Sequence, residues 1–103
     1  MVMSKINDKK SGRNVKKSPK KLERIFKGAA NHRRIEILFL LKKSPNTTLL
    51  AISQQLNCNL KTIAEHTRRL AIAGLVDKKR YDNTVLHTLS PYGEKMIGIL
   101  EDF

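Results

Sequence analysis

The stretch from residue 59 to residue 76 constrains the fold more than any other part of the chain. Asn59 is a favourable helix N-cap, and Gly74 suits the left-handed residue that follows a helix. Between them, Ile63, Leu70 and Ala71 recur at helical spacing, as a single buried face requires. The sequence therefore predicts an amphipathic helix of about four turns.

The opposite face of this helix combines small and polar residues, which is typical of a helix that enters the major groove of DNA. Short side chains permit close approach to base edges, and Lys or Arg can reach guanine or phosphate. The alternative is a solvated face on which Glu65 forms ion pairs with Arg68 and Arg69. The predicted DNA-contacting residues are Asn59, Leu60, Lys61, Thr62, Ala64, Glu65 and Arg68.

Helices predicted upstream complete a helix-turn-helix. Leu49, Ile52 and Leu56 predict a short helix, and Asn57 and Cys58 form the tight turn before the longer helix. Any small three-helix bundle is the alternative at this level.

Two further helices are predicted closer to the N-terminus. An apolar stripe at Leu22, Ile25 and Phe26 predicts a short helix that stops near residues 28–30. Asn31 is the expected cap of the second helix, which ends near Pro45. The residues expected to face inward on this second helix are Ile35, Leu38, Phe39 and Leu41.

A β-hairpin is predicted directly after the longer helix. Asp82 and Asn83 tolerate a positive φ, and they separate two segments that read as strands, residues 75–81 and residues 84–89. Lys78, Lys79 and Arg80 make the hairpin a candidate wing that contacts the DNA backbone or a minor groove. An exposed basic hairpin with no role in nucleic-acid binding is the alternative.

The last predicted helix is capped by Ser90, has Pro91 at its first position, and is expected to find little core left to cover. Its apolar stripe and that of the first helix are predicted to pack against a second copy of the chain, because water would otherwise contact them. Closing the core of the monomer is the alternative role. The predicted dimerisation residues are Leu22, Ile25, Phe26, Tyr92, Met96, Ile99, Leu100 and Phe103.

Charge divides the chain into a basic arm, residues 1–20, and a folded domain, residues 21–103. The chain carries a net charge of +12 over 103 residues, and residues 1–21 hold eight basic side chains against Asp8 alone. The arm has little to bury, so it is expected to be disordered and to contact phosphates or an AT-rich minor groove. A solubilising tail or a localisation signal is the alternative. The basic residues predicted to contact DNA here are Lys16, Lys17, Lys20 and Lys21.

Several classes of protein are excluded. A single cysteine, Cys58, allows no internal disulfide and no cysteine-based zinc motif, and its place in the turn favours a buried structural role. No signal peptide or membrane-spanning segment is evident, which predicts a cytoplasmic protein that binds no membrane, associated with the nucleoid if the host is a prokaryote. No catalytic constellation appears, so neither an enzyme nor a cofactor is predicted.

Three segments resemble the winged-helix repressors of the arsenic-repressor (ArsR) type. Residues 30–38, Ala-Asn-His-Arg-Arg-Ile-Glu-Ile-Leu, are similar to that family's Ala-Asp-Pro-Thr-Arg-Leu-x-Ile-Leu opening. Residues 52–70 are similar to its helix-turn-helix, and residues 73–76 to its entry into the wing. Residues 89–93, Leu-Ser-Pro-Tyr-Gly, resemble the Leu-Thr-x-x-Gly of many winged-helix regulators, including the multiple-antibiotic-resistance (MarR) type. The resemblance covers most of the domain and implies a homodimer that approaches base edges with Leu60, Lys61, Ala64 and Arg68.

Departures from the family pattern bear on mechanism. Metal-sensing members hold thiolates on the first helix of the helix-turn-helix, where this sequence has Thr48 and Leu50. A second family site needs histidine on the last helix, and none follows residue 91. His66 matches a histidine common in the family's recognition helix, whereas Thr67 and Arg69 replace apolar residues, which leaves the rotation of that helix open.

The sequence thus predicts a mainly α fold with a β-hairpin, a winged helix-turn-helix of about five helices and a two-stranded wing. The predicted function is a sequence-specific regulator of transcription that binds double-stranded DNA, dimeric and repressor-like, without metal sensing. The alternative function is a winged-helix module that docks protein or structured RNA. The pattern specifies neither an operator nor a small-molecule effector.

Overall fold

The computed structural model describes residues 17–103, which form five α-helices and one antiparallel hairpin. This architecture confirms the predicted winged helix-turn-helix. In chain order the elements are α1 (Pro19–Ala29), α2 (His32–Lys43), α3 (Leu49–Leu56), α4 (Leu60–Ile72), β1 (Val76–Tyr81), β2 (Thr84–Leu89) and α5 (Pro91–Glu101).

Side-chain caps fix the start of every helix. In each case a side-chain oxygen accepts a hydrogen bond from a backbone N–H of the first turn, which satisfies a donor that the helix itself leaves free. Ser18 caps α1, and Pro19 takes its first position, so this helix begins two residues before the predicted domain boundary. Residues 1–16, including Lys16, lie outside the described residues. The other caps are Asn31, Thr48, Asn59 and Ser90.

The core is built around α2, which packs against every other helix and against β2. Ile37, Leu38 and Leu41 are essentially inaccessible, and Leu40 is also buried. The expectation that Phe39 faces inward is wrong, because 39% of this residue is exposed. At about 100° per residue, Phe39 lies some 200° around the helix from Ile37, on the outer side.

The hairpin turns at Asp82 and Asn83 as predicted, and its register places Val76 opposite Leu89 and Tyr81 opposite Thr84. Asp82 takes the positive φ of 61° that the two-residue turn requires.

The last helix covers more of the core than the sequence indicated. Gly93, Met96 and Ile97 of α5 are buried, and Ile97 is not accessible at all. The expectation of little remaining core is therefore wrong, because α5 packs across both α2 and β2.

Candidate nucleic-acid interface

A tight turn sets the start of α4 out from the core. Asn57 ends α3 in the left-handed conformation, with a φ of 51°. The Ser53 hydroxyl donates to the carbonyl of Cys58 at 2.6 Å and fixes the turn from the inside. The Asn59 side chain then accepts from the backbone N–H groups of Lys61 and Thr62, at 2.8 Å and 3.3 Å. The first turn of α4 is held in place while its side chains remain in solvent.

The rotation of α4 places the predicted contact residues outward. Ile63, Thr67 and Leu70 form the buried face. The Thr67 hydroxyl donates to the carbonyl of Ile63 at 2.7 Å, so a polar residue fits this face without an unpaired hydroxyl. Ala64 is half-buried, and the remaining predicted residues are exposed: Asn59, Leu60, Lys61, Thr62, Glu65 and Arg68.

Ion pairs occupy part of this face. Arg68 donates to Glu65 from Nε at 3.1 Å and from Nη2 at 3.0 Å, and Arg69 donates from Nε to the same carboxylate at 2.9 Å. The hydrogen bonds from Arg68 and then Arg69 lower the pKa of Glu65 to about 2, and Glu65 raises the pKa of Arg68. The group therefore stays ionised with a net positive charge, and the Nη1 of Arg68 remains available.

The wing presents its cations on two sides. Lys78, Lys79 and Arg80 are all exposed on β1. Side chains alternate along a strand, so Lys78 and Arg80 share one face of the hairpin and Lys79 points to the other. Lys78 and Arg80, together with Leu60 of α4, line a cleft of about 620 Å³ between the wing and the starts of α3 and α4. Two wing cations and the first turn of α4 thus border one depression.

A buried histidine ties the wing to the core. His87 of β2 is 2% exposed, and its Nδ1 lies 3.1 Å from the carbonyl oxygen of Thr47. The two backbones also exchange hydrogen bonds of 3.0 Å and 2.8 Å. Burial lowers the pKa of His87 below its usual range. Sequence reasoning missed this link because 40 residues separate its partners and neither belongs to a motif.

A second histidine is half-buried on α4. The pKa of His66 is lowered, first by burial and then by the nearby charge of Arg34. Its Nδ1 is buried and has no hydrogen-bond partner among residues 17–103.

The predicted dimerisation residues lie mainly along an open apolar groove between α1 and α5. The groove has a volume of about 410 Å³, and Leu22, Phe26, Tyr92 and Ile99 on its walls are each more than 40% exposed. Ile25 also lines it, and Phe103 is fully exposed at the end of the chain.

Two of the predicted dimerisation residues pack largely against the core of their own protomer. The interpretation of Met96 as part of a free stripe is wrong, because this residue is 3% exposed and forms the floor of the groove. Leu100 is half-buried against the core.

Three of the N-terminal lysines that were predicted to contact DNA lie on or next to α1. Lys17 lines the groove, with its Nζ 4.7 Å from the centre of the Tyr92 ring. Its hydrogen bond lowers the pKa of Tyr92. Lys20 and Lys21 are exposed in the first turn of α1. Lys17 is therefore placed beside the apolar groove, away from the cleft that Lys78 and Arg80 border.

Residues 17–103 contain neither a helix that could span a membrane nor a cluster of metal-ligating side chains. No helix there is both long and apolar enough to cross a bilayer. Residues 17–103 bring together no group of three or more His, Cys, Asp or Glu side chains around a common point.

Solved structures with the same fold are numerous, although no protein-family model matches the chain and no curated protein matches it. HlyU from Vibrio cholerae superposes with a TM-score of 0.74 at 28% identity, over 85% of this chain and 96% of that one. The transcriptional regulator HlyU from Vibrio vulnificus gives 0.68 at 26% identity, over 81% and 86%. The structural neighbours are winged-helix transcriptional regulators of the HlyU and ArsR type.

One further neighbour is described as a homodimer. A homodimeric winged helix-turn-helix DNA-binding domain from Mycobacterium bovis, a possible ArsR-family regulator, superposes with a TM-score of 0.70. It is 24% identical to this chain, and the match covers 81% of this chain and 80% of that one. At this level of identity the likeness shows the shared fold.

Proposed function

We propose that this protein is a dimeric regulator of transcription that binds double-stranded DNA in a sequence-specific manner. The observation that carries the proposal is the cleft that the wing cations Lys78 and Arg80 share with Leu60, at the start of the helix whose polar face is exposed. Its HlyU-type neighbours are transcriptional regulators, which agrees with this function and with the absence of a catalytic role.

In this proposal α4 enters the major groove. Half-buried Ala64 and the capped first turn allow the helix backbone to approach the bases, while Lys61 and Arg68 reach base edges or phosphates. The pairing with Glu65 holds the Arg68 guanidinium in one orientation before DNA arrives. Nη1 can then donate to a guanine, and Glu65 can accept from a cytosine amino group.

The wing acts on the sugar-phosphate backbone. Lys78 and Arg80 face the cleft beside α4, so a DNA strand that follows α4 passes within reach of both. Such contacts set orientation and affinity but carry no sequence information of their own. Lys16, Lys20 and Lys21 add positive charge at the N-terminal side of the domain.

The dimer forms through the groove between α1 and α5. Its exposed apolar walls provide a surface that a second copy can cover with the same residues, as a two-fold interface requires. Two recognition helices would then address half-sites spaced by about one helical turn of DNA, near 34 Å. Repression would follow from occupying a promoter in the cytoplasm.

The proposed regulation does not involve metal sensing. At the start of α3, Thr48 uses its hydroxyl to cap the helix, accepting from the N–H of Ala51 at 3.1 Å, and Leu50 offers no donor atom. Neither residue can supply the soft ligands that thiophilic metals select.

The test is selection of bound fragments from a random duplex library by the full-length protein. Enrichment of a pseudo-palindrome with two half-sites is expected, since a two-fold dimer reads both strands equally. Recovery without any enriched sequence would contradict sequence-specific binding. Preferential retention of structured RNA by the same immobilised protein would favour the alternative docking function.

A further inference from the structure

A small basic cavity lies where α1, α2 and α4 meet, outside the predicted DNA contacts. Its volume is about 180 Å³, and four cationic side chains line it: Arg24, Lys27, Arg34 and Arg69. Close packing of the helices brings these charges together. A Cβ at Gly28 would come within 2.2 Å of the Ala73 Cβ, so α1 and α4 approach more closely there than any larger residue would permit.

Carboxylates among the described residues neutralise only part of the positive charge in this cavity. Lys27 pairs with Glu23 at 3.7 Å, and Arg69 pairs with Glu65 at 2.9 Å, a carboxylate that Arg68 shares. Among residues 17–103, Arg24 and Arg34 pair with no carboxylate. Like charges held together without counter-charges repel one another, and a bound anion removes this repulsion.

Arg34 has unused hydrogen-bonding capacity in the cavity. Its Nη1 donates to the carbonyl of Gly28 at 3.2 Å, which anchors the guanidinium by one edge. Its Nε is buried and has no partner within the described part of the chain. Its Nη2 makes no hydrogen bond within residues 17–103 and is not among the buried atoms, so it can donate to an anion in the cavity.

We propose that this cavity binds a phosphate-type oxyanion. Arg34 donates to it from Nη2, and Arg24, Lys27 and Arg69 supply the balancing charge. The cavity is open to solvent and has room for a phosphate group. The anion belongs either to a free phosphorylated compound or to a DNA phosphodiester. The site goes beyond the proposed function, because none of its residues was assigned to DNA binding.

The test is a titration of the full-length protein with inorganic phosphate, without DNA, followed by ¹⁵N NMR at constant ionic strength. The expected result is a saturable shift of the Arg34 Nε–H signal, with smaller saturable shifts at the amides of Gly28 and Ala73. Linear shifts spread over all basic residues would show that phosphate only screens the surface charge, and this would overturn the proposal.

Variants separate a built site from general charge attraction. Arg24→Gln removes an exposed cation of the cavity and should weaken phosphate binding about tenfold, the effect of losing one charge-assisted contact. Arg34→Lys keeps the charge but loses the hydrogen bond to Gly28 that holds the guanidinium in place, so a similar loss is expected. Lys42→Gln is the matched control, because it removes one charge from the far end of α2 and should leave the affinity unchanged. Equal weakening by Arg24→Gln and Lys42→Gln, in folded proteins, would refute the site.

A second arm distinguishes the two sources of the anion. If the site holds a DNA phosphodiester, a scrambled duplex should displace inorganic phosphate and leave the Arg34 Nε–H signal shifted. If it holds a free compound, phosphate should titrate with the same affinity in the presence of the duplex. The titration without DNA can be interpreted whether or not an operator is found. Failure of the proposed function and failure of this site are therefore separate results.

Discussion

The α4–wing face and the α1–α5 groove are both exposed, but they differ in chemistry. On α4, Glu65 is bound by two arginines at 2.9–3.1 Å, and the neighbouring cations are solvated. The groove exposes Leu22, Phe26 and Ile99 with few polar atoms around them. Water solvates the first surface well and the second poorly.

This difference separates the energetic roles of the two surfaces. Water and salt screen exposed ion pairs, so the α4–wing face adds little to the stability of the fold. Burying apolar surface contributes about 25 cal/mol for each Å², so covering the groove strongly favours association. We therefore expect the groove to govern how much dimer exists and the α4–wing face to govern which DNA the dimer binds.

The largest expected effect is loss of the dimer on Ile99→Asp. This residue is 43% exposed on the groove wall, so the substitution should leave the protomer core intact. In a two-fold interface the buried charge appears twice, and we expect the dimer dissociation constant to rise by at least about a hundredfold. Analytical ultracentrifugation at several protein concentrations measures this constant.

A matched control uses Phe39→Asp, since this α2 residue is 39% exposed and does not line the groove. The dimer dissociation constant of this variant should match that of the wild type. If Ile99→Asp remains dimeric, the interface lies elsewhere on the molecule.

Much of the fold was predictable from the sequence because capping and turn residues act locally. Ser90 illustrates why residues 89–93 were informative. Its hydroxyl accepts from the N–H of Gly93 at 3.0 Å and donates to the carbonyl of Gly74 at 2.5 Å, joining α5 to the turn between α4 and β1. A Cβ at Gly93 would lie 2.1 Å from the Leu75 oxygen, so this spacing of small residues has a steric cause.

The features that sequence reasoning missed depend on contacts between distant segments. The exposure of Phe39 was misjudged, and the burial of Ile97 was overlooked. Both depend on how many neighbours surround α2 and α5, which a single helical stripe does not reveal. The cavity at Arg34 joins three helices, and its residues form no local motif. The outward face of α4 was predictable only in part, because Ile63 and Leu70 indicated the buried side while the polar Thr67, which the structure buries between them, left the rotation open.

The second prediction concerns Arg68 on the α4–wing face. Arg68→Ala should cost about 1–3 kcal/mol in binding to the selected operator, because it removes a base-edge donor, and should cost much less on a scrambled duplex. Lys61→Ala should have a smaller effect of the same kind. Fluorescence anisotropy on both duplexes gives the two affinities, and the dimer constant should stay unchanged. An equal loss on both duplexes would assign Arg68 to phosphate contact instead.

The third prediction is a loss of folding stability in mild acid that arises on the α4–wing side. Burial lowers the pKa values of His87 and His66, so the unfolded chain takes up protons first as the pH falls. Their contribution is therefore fully present above about pH 6.5 and decreases below it, by at most about 1.4 kcal/mol per pH unit for each histidine. Urea denaturation at pH 7.5, 6.5 and 5.5, at fixed protein concentration, measures this slope.

Substitution locates the source of this pH dependence. His87→Gln should reduce the dependence of the unfolding free energy on pH. His32→Gln, at an exposed position, should leave that dependence unchanged. The groove is lined by no histidine, so we expect the dimer constant to change little over the same range. A slope that persists in the double variant His66→Gln, His87→Gln would show that other groups cause it.

The smallest expected effect distinguishes the two sides of the wing and tests whether position or charge alone matters there. Lys78 and Arg80 border the cleft beside α4, whereas Lys79, between them, faces away. Each phosphate contact contributes about 0.9 to the slope of log affinity against log salt, which is about a threefold change in affinity between 50 and 200 mM. Lys78→Ala and Arg80→Ala should each lower that slope by about 0.9 on cognate and scrambled DNA alike, and Lys79→Ala should lower it less. Anisotropy titrations at four salt concentrations provide the slopes. Equal slopes for all three variants would mean that the wing acts only through its net charge, and the cleft would then lose its role in orienting DNA.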